Sequence, residues 1–267
     1  MRIGDVDIDP VFDGLLTYDP AFTHPDVDRA TLAHIPGALT ADGQMQFPYG
    51  GFLLRGPGEQ VVLYDLGTGP QFPTVPGIGF RVVQQGRLPS SLQALGVGVY
   101  DVTDVVYSHL HLDHVGWAPG FRHARHHIHA LDWQRFVETD SGDSFALGTR
   151  ELLKPLEETV QLWDGAEHHV TPWLRLEPAA GHTPGSVVGL VESQGDTGLM
   201  IGDLVHSPIE IDRPEMRLPI DVDPDAAAEH RKQWVGLAIG TRAAVFAPHF
   251  PDMAPVRLGS RCITENP

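Results

Sequence analysis

The sequence predicts a layered α/β fold. Three observations carry this: short apolar, β-branched runs recur along the chain, amphipathic helical stretches stand between them, and several of the runs end on histidine or aspartate. In chain order the strands are "FLL" at Phe52 to Leu54, "VVLYD" at Val61 to Asp65, "DVVYS" at Asp104 to Ser108, "SVVGLV" at Ser186 to Val191, "TGLMIGD" at Thr197 to Asp203 and "AAVFAPH" at Ala243 to His249. Helices are expected at "PSSLQALG" from Pro89, with a serine cap, at the amphipathic "ALDWQRFVE" from Ala130, and at "DPDAAAEHRKQWVGLA" from Asp223, which opens on Asp and Pro. The run "HARHHIHA", with His123, His126, His127 and His129, alternates like an edge strand with one wet face. Its histidines read as hydrogen-bonded structural residues, as do His24, His34, His168 and His169.

The chain of 267 residues is long enough to bury a sizeable core, and 42% hydrophobic with 20% charged residues is the composition of an ordinary globular protein. The 35 acidic residues against 18 Lys and Arg give a formal charge of −17, which repels nucleic acid and anionic membrane surfaces. Cys262 is the single cysteine, so an internal disulfide and a thiolate zinc cluster are both excluded. The start, "MRIGDVDIDPVFDG", carries acids where a signal peptide has an apolar run, and the expectation is a cytoplasmic protein. Residues 20 to 50 and Gly67 to Phe80 are rich in Pro, Gly and Phe and read as ordered surface loops or as pocket walls, and the second is also suited to a homodimer interface.

The stretch "HLHLDH", His109 to His114, places three histidines and an aspartate in six positions directly after an apolar strand. In open α/β sheets ligands collect just beyond the carboxyl ends of strands. Two more strands end the same way, on Asp203 and His249, and His182 lies in the Gly/Pro turn "GHTPGS". Imidazole and carboxylate without thiolate suit Zn²⁺, and also Mn²⁺, Fe²⁺ or Co²⁺. One ion takes about four ligands. His109, His111, Asp113, His114, His182, Asp203 and His249 are enough for two ions that share a bridging carboxylate.

These residues carry a resemblance. "HLHLDH", "GHTPGS", "IGDLVH" and "APHF", in this order, resemble the metal motifs of the metallo-β-lactamase superfamily, over a span from about Val61 to Pro251. The resemblance implies an αββα four-layer sandwich with the site along one edge. The whole chain, 1–267, would be one such domain, with residues 1–50 as N-terminal strands and a pocket-lining extension. It further implies that His109, His111 and His182 bind a first metal and that Asp113, His114 and His249 bind a second. Asp203 would bridge the two, and Asp65 would orient a ligand histidine from behind.

Two divalent ions outweigh the charge of Asp113, Asp203 and a bridging hydroxide. The expected chemistry is therefore hydroxide attack on an ester, lactone, amide or phosphoester, with Asp113 passing the proton to the leaving oxygen. Within the superfamily, oxygen-reducing members have a carboxylate at the position of His111, and RNA-processing members carry binding domains for which this acidic chain has neither room nor charge. Glyoxalase II members resemble it less, because a basic cluster near the C-terminus is lacking. The pattern is most similar to the branch of quorum-quenching lactonases and organophosphate or aryl-ester hydrolases. Lactonases of that branch commonly have a tyrosine three residues after the bridging aspartate; here the position is His206, which can donate the same hydrogen bond. Phe72, Phe80, Trp117 and Phe121 are expected to form aromatic walls for an apolar substrate, and Arg213 to pair with Glu210 or Glu215. The leading expectation is a small-molecule lactone or ester as substrate. The alternatives are a phosphotriester or aryl ester on the same metals, or a ligand-binding protein without turnover.

Overall fold

The computed structural model describes residues 1–75, 79–139 and 141–258. Cys262 and the centre of the Gly67 to Phe80 loop lie outside them. The first sheet contains β1 (Arg2–Ile3), β2 (Val6–Tyr18), β3 (Met45–Arg55), β4 (Val61–Tyr64), β5 (Arg81–Gln84), β6 (Asp104–Val106), β7 (Arg125–His129) and β8 (Val160–Trp163). Its order is β1-β2-β3-β4-β6-β7-β8, with β5 also paired to β2. The second sheet contains β9 (His168–Thr171), β10 (Leu174–Pro178), β11 (Val187–Ser193), β12 (Asp196–Met200), β13 (Ala244–Phe246) and β14 (Val256–Arg257), in the order β14-β13-β12-β11-β10-β9. The helices are α1 (Arg29–Ala33), α2 (Leu88–Ala94), α3 (Leu112–Val115), α4 (Ala130–Trp133), α5 (Thr149–Leu153), α6 (Ile209–Asp212) and α7 (Pro224–Thr241).

Alternation along the strands builds the layers. Phe52, Leu54, Val62, Tyr64 and Val106 turn inward and meet Leu174, Leu176, Val187, Val191, Met200 and Phe246 between the sheets. Their neighbours Leu53, Leu63 and Val105 turn outward and pack under Leu88 and Leu92 of α2 and Leu153 of α5. On the far side Val188, Leu190, Leu199 and Val245 face Trp234, Val235 and Ala238 of α7. Helix, sheet, sheet and helix thus stack as the αββα sandwich. Among the described residues, no helix is long and apolar enough to cross a membrane.

Strands β4, β6, β7 and β8 run parallel, as do β12 and β13, so the carboxyl ends of β4, β6, β12 and β13 share one edge of the sandwich. The first 50 residues add β1 and β2 to the first sheet and a small core of their own, in which Tyr18, Val27, Leu32, Ile35 and Met45 pack with Ile209. Where β2 pairs with β3 the register shifts between Phe12 and Gly14. That bulge re-aims the buried Asp13, which accepts from the N–H groups of Thr68 and Leu88 and from Trp117 Nε1, each at 2.9 Å. Asp13 therefore caps α2. The expected serine cap is absent, because Ser90 and Ser91 donate instead to the carbonyls of Arg87 and Phe12.

A further correction concerns "HARHHIHA". It forms β7, which lies between β6 and β8 with buried faces, and is no wet edge strand.

Candidate metal centre and active site

All seven ligand candidates meet at the shared edge, delivered by the strands that the sequence pointed to. Residues 109–114 follow β6, Asp203 follows β12, His249 follows β13, and His182 sits in the β10–β11 loop. Gly202 lets β12 end there: its φ is +53°, and a Cβ on it would lie 2.7 Å from Ser108 Cβ. Asp203 is central. Its Oδ1 lies 3.0 Å from His249 Nε2 and 3.3 Å from His114 Nε2, whereas its Oδ2 lies 3.6 Å from His182 Nε2 and 3.9 Å from His109 Nε2. Asp113 joins the first pair, with Oδ1 3.7 Å from His114 Nε2 and Oδ2 3.7 Å from His249 Nε2. His111 joins the second, its Nδ1 3.0 Å from His182 Nε2. The structure therefore brings together two donor sets, His109 with His111 and His182, and Asp113 with His114 and His249, facing opposite oxygens of one carboxylate, and His206 forms a third grouping with His182 and Asp203.

The donors fit divalent cations by an observation independent of the motifs. His109 Nε2, His114 Nε2, His249 Nε2 and Asp203 Oδ1 are buried and have no hydrogen-bond partner, and each points into the cluster. Leaving such groups unpaired costs about 1–3 kcal/mol apiece, which a bound cation removes. The outer nitrogens are meanwhile engaged. His114 Nδ1 faces Asp65 Oδ2 at 3.0 Å, His182 Nδ1 faces Asp221 Oδ1 at 3.0 Å, and His249 Nδ1 donates to the Pro48 carbonyl at 2.8 Å. Each partner holds the ring so that the Nε2 lone pair faces inward. Asp65 also accepts from the Ser108 N–H at 2.8 Å and holds a left-handed φ of 64°, one of few non-glycine residues to do so. Burial and the neighbouring His114 hold the His109 imidazole well below its ordinary pKa, the neutral form that a metal requires. For Asp203 burial acts upward, but the surrounding imidazoles outweigh it and keep the carboxylate ionised.

Two loops of the site are pinned by one buried carboxylate that the sequence did not reveal. Asp132 in α4 accepts from the N–H groups of Leu110 at 3.1 Å and Gly185 at 2.6 Å, and from the Thr183 hydroxyl at 2.8 Å. Burial lifts its carboxyl to about 6 against the pull of these donors. Asp221, behind His182, is a second such residue. Neither lies in a motif; the polar position Asp132 within the apolar pattern of "ALDWQRFVE" was the available signal.

Over the metal edge lies a cleft of about 470 Å³, counting the space open at its mouth. Asp113, Asp203, His111, His182 and His206 form its polar floor, and its walls are aromatic. Phe72 and Phe80 line it, joined by Tyr18, Phe22, Phe47 and Phe145. Their rings meet edge to face, with centroids 5.7 Å apart for Phe72 and Phe80 and 5.6 Å for Phe22 and Phe80. Trp117 and Phe121 do not take part. Phe121 is buried in the core under α2 and α5, and Trp117 packs against the same core while its Nε1 donates to Asp13. His206 is at the cleft, with Nε2 3.3 Å from Asp203 Oδ2. Burial pulls its imidazole down, but Asp203 and Glu210 outweigh burial and lift it to about 10.

With the geometry in hand, the family follows. Residues 51–249 match the model of the metallo-β-lactamase superfamily. The chain belongs to that superfamily. No curated protein sequence matches this chain. Among solved structures it is similar to AidC, described as a dizinc quorum-quenching lactonase in complex with a product, with a TM-score of 0.83 at 22% identity over 98% of this chain and 94% of that one. It is also similar to a probable metal-dependent hydrolase from Staphylococcus aureus, with a TM-score of 0.83 at 17% identity over 97% and 99% of the two chains. A third is the hydrolase AbOPH, with a TM-score of 0.82 at 23% identity over 98% and 92%. At these identities the likeness establishes the fold. Family and donor set together make the chain a metal-dependent hydrolase.

Proposed function

We propose that this hydrolase uses two divalent metal ions, with zinc as the first choice, to open lactones or cleave related carboxylic esters. The observation that carries the reading is Asp203, whose two oxygens face separate imidazole sets at the floor of an aromatic cleft. Bound there, divalent ions supply Lewis acidity, lowering the pKa of water and polarising a carbonyl oxygen.

The chain's own residues do the rest. The walls of Phe22, Phe47, Phe72, Phe80 and Phe145 take an apolar acyl chain and exclude water. His206 directs Nε2 at the floor, where it donates to the substrate carbonyl oxygen and holds it against Asp203 and the donor sets. Asp113 borders the cleft with a partly exposed carboxylate and carries the proton to the leaving oxygen. The lactonase neighbour, AidC, accords with this substrate class.

The density of aromatic walls favours one second reading, a flat aryl leaving group on an aryl ester or phosphotriester. A pH-stat screen of lactones, aryl esters and phosphotriesters, on protein reconstituted with Zn²⁺, Mn²⁺ or Co²⁺, separates the two. Acid release from lactones is the expected result. Turnover of aryl substrates with lactones rejected moves the assignment to the second reading, and no product from any class contradicts both.

A further inference from the structure

Behind His206 lies a closed polar bracket that the metal ligands do not use. Glu210, in α6, accepts from the backbone N–H of His206 at 3.1 Å to each oxygen and from that of Ser207 at 2.9 Å. Its Oε2 lies 3.6 Å from His206 Nδ1, and its Oε1 is 2.9 Å from His24 Nε2. The side chains of Glu210, His24 and Arg231 are fully buried. Because the ionised Glu210 carboxylate can only accept, His24 carries a proton on Nε2 and donates it there, while its Nδ1 meets the hydroxyl of Thr23, a residue that borders the cleft, at 2.7 Å. Arg231 completes the bracket. Its Nε donates to the Leu204 carbonyl at 2.7 Å and lies 3.6 Å from Glu210 Oε2, while Nη2 lies 3.6 Å from Asp221 Oδ2, the carboxylate that holds His182.

We propose that Glu210 is the positioning residue for His206, clamped in turn by His24 from the N-terminal extension and by Arg231. The inference rests on the reading of His206 as the group that meets the substrate. The physical argument is one of leverage. Glu210 grips the two peptide N–H groups that follow the Asp203 turn as well as facing the ring, so it sets where the imidazole stands relative to Asp203 and His182. A misplacement of about 1 Å costs on the order of 10²-fold in rate. Burial alone would raise the Glu210 carboxyl, but His206, His24 and Arg231 hold it well below the ordinary carboxylate range, so it stays an ionised acceptor for all of its donors. The His206 nitrogens face only the carboxylates of Asp203 at 3.3 Å and Glu210 at 3.6 Å and make no well-formed hydrogen bond, so the backbone grip of Glu210 is what holds the ring in place.

A double-mutant cycle on the full-length, metal-loaded enzyme tests this, with the substrate that the pH-stat screen selects. Glu210→Gln is expected to lower kcat about 10–100-fold with KM little changed and the metal content of wild type. In the His206→Ala background the same change is expected to cost less than about two-fold, since the group being positioned is gone. His24→Gln, a milder change on the far side of Glu210, is expected to show the same pattern at smaller amplitude. A readout without substrate is the imidazole ¹⁵N spectrum of the whole protein, in which the Nε2–H tautomer of His24 is expected in wild type and its signature shifted in Glu210→Gln. Full loss in both backgrounds would mean a merely structural role and overturn the inference. Unchanged kcat in Glu210→Gln beside a reduced kcat in His206→Ala would overturn it while leaving the role of His206 intact. Unchanged turnover in His206→Ala would sink the reading of His206 itself.

Discussion

Two histidine-rich runs follow and fill neighbouring strands of the first sheet, residues 109–114 after β6 and residues 123–129 through β7, and they behave in opposite ways. In the second run both nitrogens of His126 and of His127 are paired within the protein. His126 accepts from the Tyr107 hydroxyl at 2.9 Å and donates to the Phe121 carbonyl at 3.1 Å. His127 donates to Asp104 at 2.7 Å and meets His168 Nε2 at 2.9 Å, and His129 Nδ1 accepts the Leu131 N–H at 3.3 Å. In the first run the buried inner nitrogens of His109 and His114 lack a partner. Histidine density therefore says little; what marks a metal site is a set of buried donor atoms that converge and that the protein does not satisfy.

The contrast sets the order of expected effects. Replacing Asp203 by Ala removes the oxygens that both donor sets face, and hydrolysis is expected to fall by about 10³-fold or more, near 4 kcal/mol of transition-state stabilisation. Steady-state kinetics decide this, and a variant with wild-type turnover would remove Asp203 from the mechanism. One step outward, Asp65→Asn and Asp132→Asn leave the ligands in place but loosen the ring of His114 and the two loops. Each is expected to weaken metal retention or activity about 10–100-fold, read by competition with a chelator.

In the second run the same kind of change is expected to touch stability alone. His127→Ala should cost about 1–3 kcal/mol in denaturant unfolding, with metal content and turnover preserved. The smallest expected effect is one of pH. Burial opposes ionisation of Asp104, but His127, Arg125 and Thr103 outweigh it and bring the carboxyl down to about 2. A folded-state pKa below the unfolded value gives stability that is present above about pH 4 and lost as pH falls toward 2, about 2 kcal/mol in all. Metal-free protein compared with Asp104→Asn over this window should show the loss in wild type only; parallel curves would contradict the pairing.

The motifs made the seven ligand candidates, Asp65 and the layer order legible, because each lies at a fixed place on a strand end or in a short pattern. Residues that act across the fold were hidden. His24 and Glu210 stand 186 positions apart and His182 and Asp221 stand 39 apart, so no local pattern joins them. Glu210 is one of two partners that the sequence offers Arg213, and His24 reads there as a hydrogen-bonded structural residue, which it is; nothing local says that the two meet each other. Trp117 and Phe121 were misplaced for the opposite reason. They follow the metal run closely, but the chain turns through α3 and sends both to the outer core. The pocket aromatics Phe22, Phe47 and Phe145 come from three distant segments and become a wall only in the folded chain.

Under the proposed function, Asp203 stands between two ions and divides the other six ligand candidates into sets of three. Elemental analysis of tag-free protein, purified and equilibrated with Zn²⁺, tests it most directly. Two metal ions per chain are expected, with a marked loss in Asp203→Ala and none in His127→Ala. One ion or none per chain in the wild-type protein would contradict it.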